Sequence, residues 1–153
     1  MSAKQILDKW KQRAKNIQNR HYNASATLKS THYLTGLPLV ILAAIVSSNA
    51  ISEVLNIPFF LPYSKYIVAS LSLFITVLAA VQSFMSFEKR AQLHYSAGVK
   101  YGELKRKIET MEASNPTDEQ ISAFLSELGP IWNSLTEESE PIPLRIWAKK
   151  AKV

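Results

Sequence analysis

The chain has no cysteine, which excludes disulfides, thiolate metal sites and cysteine nucleophiles. Its three histidines, His21, His32 and His94, are scattered, and none has a ligand partner at metal-binding spacing. There is no phosphate loop, dinucleotide fingerprint or nucleophile elbow. Asp8 and Glu53 stand alone, Glu137 and Glu138 fall in a proline-bearing acidic stretch, and the serines have no triad context. Neither a cofactor nor a catalytic residue is expected, and the chain does not read as an enzyme. The most informative shortage is charge. Residues 66–87 (YIVASLSLFITVLAAVQSFMSF) and residues 30–52 contain none at all.

A helix rises about 1.5 Å per residue, so residues 66–87 would extend roughly 33 Å, close to the roughly 30 Å hydrocarbon thickness of a bilayer. This stretch reads as a transmembrane helix. Residues 30–52 form a weaker second span, with its apolar part at 37–46 followed by Ser47, Ser48 and Asn49. Pro38 lacks a backbone donor and predicts a kink near Gly36. A signal peptide competes for this segment, since Ser48-Asn49-Ala50 resembles a cleavage site. The long stretch before the apolar core and the second span after it weigh against that. Between the spans, residues 53–65 hold Pro58, Pro62, Phe59, Phe60 and Tyr63, a short loop with ring types suited to headgroup level.

Positive charge orients this hairpin. Of 18 Lys and Arg residues, seven precede the first span, Lys65 alone lies in the loop, and ten follow the second span. Lys and Arg stay preferentially on the cytoplasmic side, so both termini are expected in the cytoplasm and the loop outside, in an inner membrane. With about a third of the chain in this hairpin, no large soluble core is expected. The net charge of +6 is then a matter of topology before nucleic acid.

The second span carries two stripes. Ile67, Leu71, Phe74, Leu78, Val81 and Met85 form a bulky one. Ser72, Thr76, Ala79, Ser83 and Ser86 form a small, hydroxyl-rich one. Small residues let transmembrane helices approach closely, so the second stripe reads as a helix-packing face. The sharper alternative is the lining of a water-filled pore in an oligomer, with Gln82 near its inner mouth. The absence of charge argues against a proton relay.

Three further segments flank the spans. Residues 1–29 are basic and lack glycine and proline, and Ile6, Trp10, Ala14, Ile17, His21, Ala24 and Leu28 recur at spacings of three and four. That is an amphipathic helix, packing on other helices of the chain or lying on anionic lipid. Its basic residues lie all round, against direct nucleic-acid binding. After Phe87 the second span is predicted to continue unbroken into a cytoplasmic helix, within a region of cytoplasmic helices from 88 to 135. On it His94, Ala97, Tyr101, Leu104, Ile108 and Met111 form a helix-contact face of heptad-like spacing. His94 there reads as a buried, hydrogen-bonded residue or a local pH-sensitive contact, and Gly98 and Gly102 suggest a tight approach. Thr117 and Gln120 form a capping-box pattern, opening a helix with Ile121, Phe124, Leu125 and Leu128 that Gly129-Pro130 is expected to break or bend. Residues 136–153 read as an acidic linker and a basic tail, with Leu144, Ile146 and Trp147 beside Arg145, Lys149, Lys150 and Lys152. The tail is expected either on the inner leaflet or docked on the cytoplasmic helices.

The expected fold is therefore all-α: an integral-membrane, two-span helical hairpin with cytoplasmic helices from both termini. This order, together with the juxtamembrane FEKRAQLHYSAGVKYGELKRKIE containing His94 and Tyr101, resembles the SLATT family of two-transmembrane effectors (SMODS- and SLOG-associating), including its reverse-transcriptase-associated subgroup. The resemblance implies an antiviral defence effector that assembles with itself in the lipid bilayer and forms a pore or disrupts the membrane, causing abortive infection. It further implies a trigger from a co-encoded reverse transcriptase or nucleotide-signalling enzyme. It supplies no catalytic residue.

Overall fold

Long helix-favouring runs become long helices, and the first of them, Ala3–Ser47, runs through Pro38 without ending there. The computed structural model describes residues 2–48, 53, 56, 58–59 and 61–143. Helix α1 spans Ala3–Ser47, α2 Ser64–Met85, α3 Phe87–Ala113 and α4 Asp118–Glu138, with a 3₁₀ turn at Leu61–Tyr63 before α2. Among the described residues there is no strand. Two helical stretches, one in α1 and one within Leu61–Ala113, are long and apolar enough to cross a membrane. The chain divides into two compact units, one from Met1–Leu28 and Lys89–Val153, the other Lys29–Glu88. The expected basic tail at 144–153 lies outside the described residues.

The first unit is a three-helix bundle of the N-terminal part of α1, α3 and α4. Its core joins Leu7, Leu104, Ile108, Ile121 and Leu128, with Ala3, Trp10, Phe124, Leu125 and Trp132 packed around them. Sequence spacing put Ile6 on the buried face of α1, whereas the neighbouring Leu7 is the more deeply buried. Segments far apart in sequence pool their apolar faces here and build a small core of their own. At the rim Lys11 Nζ donates to both Glu112 oxygens, at 2.9 and 2.7 Å, and ties α1 to α3.

Local chemistry sets the turn between α3 and α4. Asn115 adopts a left-handed φ of 49°, which asparagine enters more readily than most residues, and Pro116 prevents the helix from continuing. Thr117 then caps α4: Gln120 N–H donates to its hydroxyl at 3.3 Å, and Thr117 N–H donates to the Gln120 side chain at 2.9 Å. Contrary to the expected break, α4 runs on through Pro130. Proline costs Ser126 its carbonyl partner, but Ser126 and Pro130 are exposed, so water can satisfy that group. Leu128, Trp132 and Leu135 meanwhile anchor the helix on both sides. The helix also takes in 136–138, the start of the expected linker, where Lys100 Nζ donates to Glu138 at 3.1 Å.

The two glycines of α3 face different neighbours. A Cβ on Gly98 would lie 2.7 Å from the Tyr22 ring, and one on Gly102 would lie 2.5 Å from the end of the Gln18 side chain. A ring cannot fold away, whereas an amide on a flexible stem can. Gly98→Ala is expected to destabilise the bundle by about 1–3 kcal/mol through overpacking. Gly102→Ala should be neutral or stabilising, since alanine gains up to about 1 kcal/mol of helix propensity. Urea unfolding of the two variants checks the contrast.

The second unit is a helical hairpin of the remainder of α1 and α2. Its first helix is described to Ser47, and the end of the expected span, residues 49–52, lies outside the described residues. Gln82 packs over Gly36, where an added Cβ would meet its amide nitrogen at 2.6 Å. The less exposed positions of α2 are Ser64, Val68, Leu71, Ser72, Ile75 and Gln82. Most other side chains point outward, with Leu73 66% and Phe84 88% exposed. At the far end the predicted continuity fails. Ser86 takes a left-handed φ of 46° between α2 and α3, a conformation that costs a non-glycine residue roughly 1–2 kcal/mol.

Candidate functional site: a buried histidine pair

Two helices bring together imidazoles 73 positions apart in sequence. His21 on α1 and His94 on α3 are 2% and 0% exposed, and their Nδ1 atoms face each other at 3.0 Å. At that distance one Nδ1 carries a hydrogen and the other accepts it. The Tyr101 ring stacks on His21 with centroids 5.6 Å apart and meets Trp132 edge-on at 5.7 Å. Thr136 donates its hydroxyl hydrogen to the Trp132 carbonyl at 2.8 Å, so the 3.2 Å contact with Tyr101 is a bond donated by tyrosine. Trp10 packs on Trp132 at 5.4 Å, with Arg13 above the same ring.

Charge approaches the pair from one side. Beyond α4, Glu140 accepts a hydrogen bond from Arg90 of α3. Its second oxygen, Oε2, is buried without a hydrogen-bond partner, as is His94 Nε2. Burial pushes the His21 imidazole down to about 4, and His94 adds to the effect. Burial also lowers His94, against an upward pull from Glu140 and with Arg90 reinforcing the fall. Both rings are therefore neutral near pH 7. Among the described residues no group of three or more His, Asp or Glu side chains could hold a metal ion.

Of the helix-contact residues named from sequence, Ala97, Tyr101, Leu104 and Ile108 are buried along with His94, and Met111 is half-buried. Their partners lie on α1 and α4 of the same chain, so this face is used up within the monomer. The small stripe of α2 is not brought together on one packed face. Ser72 is half-buried, whereas Thr76, Ala79 and Ser83 are exposed. Ser86 ends the helix. Thr76 donates to the Ser72 carbonyl at 2.9 Å and Ser86 to the Ser83 carbonyl at 3.2 Å. Such back-bonding satisfies a hydroxyl without a neighbouring helix or water. The sequence reading placed both His21 and His94 on apolar faces but did not pair them, and it missed Arg90 and Glu140. The Glu140 signal was hidden in an acidic stretch that looked like linker. No family model, no curated protein and no solved structure matches the chain.

Proposed function

We propose that the chain is a two-span membrane effector of a prokaryotic anti-phage conflict system. Several copies assemble in the inner membrane, with both termini cytoplasmic, and open a pore or disrupt the bilayer when a partner triggers them. The observation that carries the membrane reading is the hairpin surface: both apolar stretches have none of their length buried inside the protein. Contiguous exposed apolar surface of this kind marks a membrane or partner contact, and its uncharged length matches a bilayer. The effector role and a trigger from a co-encoded reverse transcriptase or nucleotide-signalling enzyme rest on the resemblance to SLATT proteins. Two helices cannot enclose a pore, so leakage requires several copies. Because the α3 stripe is occupied within the chain, copies would meet through α2, where Thr76, Ala79 and Ser83 are exposed. That occupancy also favours a second reading, a membrane scaffold whose intact bundle recruits a cytoplasmic partner enzyme through residues 88–153.

Induced expression with a membrane-impermeant dye and a potential probe separates the two. Dye entry with depolarisation is the expected result. Thr76→Leu should cut the leak severalfold, and Lys149→Glu or Lys150→Glu should matter less. Ser72→Leu should reduce it too, with some loss of hairpin packing. Growth without leak, or a chain that stays monomeric under activating conditions, would favour the scaffold and sink the pore.

A further inference from the structure

We propose that the His21–His94 pair is an acid-sensitive latch on the three-helix bundle: the bundle stays closed while the two facing Nδ1 atoms share one hydrogen and neither ring is charged, and acidification opens it. The proton count supplies the reason. With both rings neutral, a single hydrogen lies between nitrogens 3.0 Å apart. One added proton can keep that bond, but it places a cation among side chains that are 0–2% exposed, and burying an incompletely compensated charge is costly. A second added proton would put N–H groups and positive charges face to face and abolish the bond.

The surroundings offer little relief. From α3 come the cationic Arg90 and the neutral Tyr101 ring. From α4 come the uncharged Trp132 and Thr136, which hold Tyr101 in place. Glu140 is the acidic group acting on His94, and it is already engaged by Arg90. Glu140 Oε2 has no hydrogen-bond partner, but the Arg90 charge that offsets this carboxylate also acts against a protonated His94. The pair links all three helices through Tyr101 and Trp132, so losing it loosens the bundle as a whole.

The sign follows from linkage. The unfolded chain binds protons near the ordinary histidine value of 6.5, the folded one only near 4 at His21. As pH falls, the unfolded state takes up protons first, so stability present above about 6.5 is lost progressively down to about 4. For His21 alone this lowers the folding equilibrium constant about tenfold between pH 7.5 and 5.5, a window above the ordinary carboxylate range.

The test is urea unfolding of the full chain in detergent, followed by tryptophan emission. The hairpin helices contain no tryptophan, and Trp10 and Trp132 lie in the bundle. The parent should lose at least about tenfold in folding equilibrium constant from pH 7.5 to 5.5. A His21→Asn/His94→Asn double variant, with amides near the two Nδ1 positions, should lose less than about threefold. An equal loss in both proteins overturns the latch. If the double variant does not fold, imidazole NMR of the parent decides the matter. His21 neutral at pH 5.5 supports the latch, and its half-protonation near pH 6.5 overturns it.

Discussion

Replacing Leu73 and Val77 together with arginine is expected to move much of the protein out of the membrane fraction. The two side chains are 66% and 51% exposed and lie one turn apart on α2, in a stretch with no charge from residue 66 to 87. In a bilayer, an arginine at a helix centre costs roughly 3 kcal/mol, and the lost leucine or valine adds about 0.5 kcal/mol. The double change then amounts to roughly 6–7 kcal/mol, enough to abolish stable insertion of this span. In water the same changes would fall within about ±0.5 kcal/mol each and would improve solubility. The two environments therefore predict opposite behaviour from one variant. Alkaline carbonate extraction measures it directly: the parent should stay in the pellet, and the double variant, left with the weaker first span alone, should be extracted in much larger part. A double variant as firmly membrane-bound as the parent would refute α2 as a span.

Ile108→Asp is expected to unfold the bundle. Ile108 is 0% exposed and sits among Leu7, Leu104, Ile121 and Leu128. Truncating a buried isoleucine costs about 2–5 kcal/mol, and a carboxyl group without a partner adds to that. The sum, about 5 kcal/mol, rivals the whole stability of a typical domain. On α4, Ala123→Asp at an exposed position should change stability by no more than about 0.5 kcal/mol. Proteolysis and tryptophan emission should register the loss in Ile108→Asp, while membrane association through the hairpin persists. Because Ile108 packs within one chain, bundle stability should not depend on protein concentration. A strong concentration dependence would instead place the α3 stripe between subunits.

How much of this was readable in advance depended on the range of the physics involved. Spacing marked His94, Ala97, Tyr101, Leu104 and Ile108 as one face because helical periodicity is a local property. It could not say whether that face met another copy or the same chain, since any apolar surface satisfies the same pattern. On α2 the signal was weaker still. Nearly every residue there is apolar or small, so a stripe carries little phase information. The side turned toward α1 follows instead from the close approach of Gln82 to Gly36, a contact 46 positions apart in sequence.

Composition and charge alone established an all-helical chain with two stretches able to cross a membrane. Hydropathy and propensity are sums over neighbouring residues and need no fold to evaluate. Tertiary packing decided the rest. It carried α4 through Pro130, because Leu128, Trp132 and Leu135 bury on both sides of it. It ended α2 at Ser86 in a backbone conformation that no serine signals by itself. It also set His21 against His94 in a buried pair, with the half-buried Arg90 and Glu140 beside them. Burial and pairing across the chain govern a group's charge, and neither is a property of its neighbours in sequence.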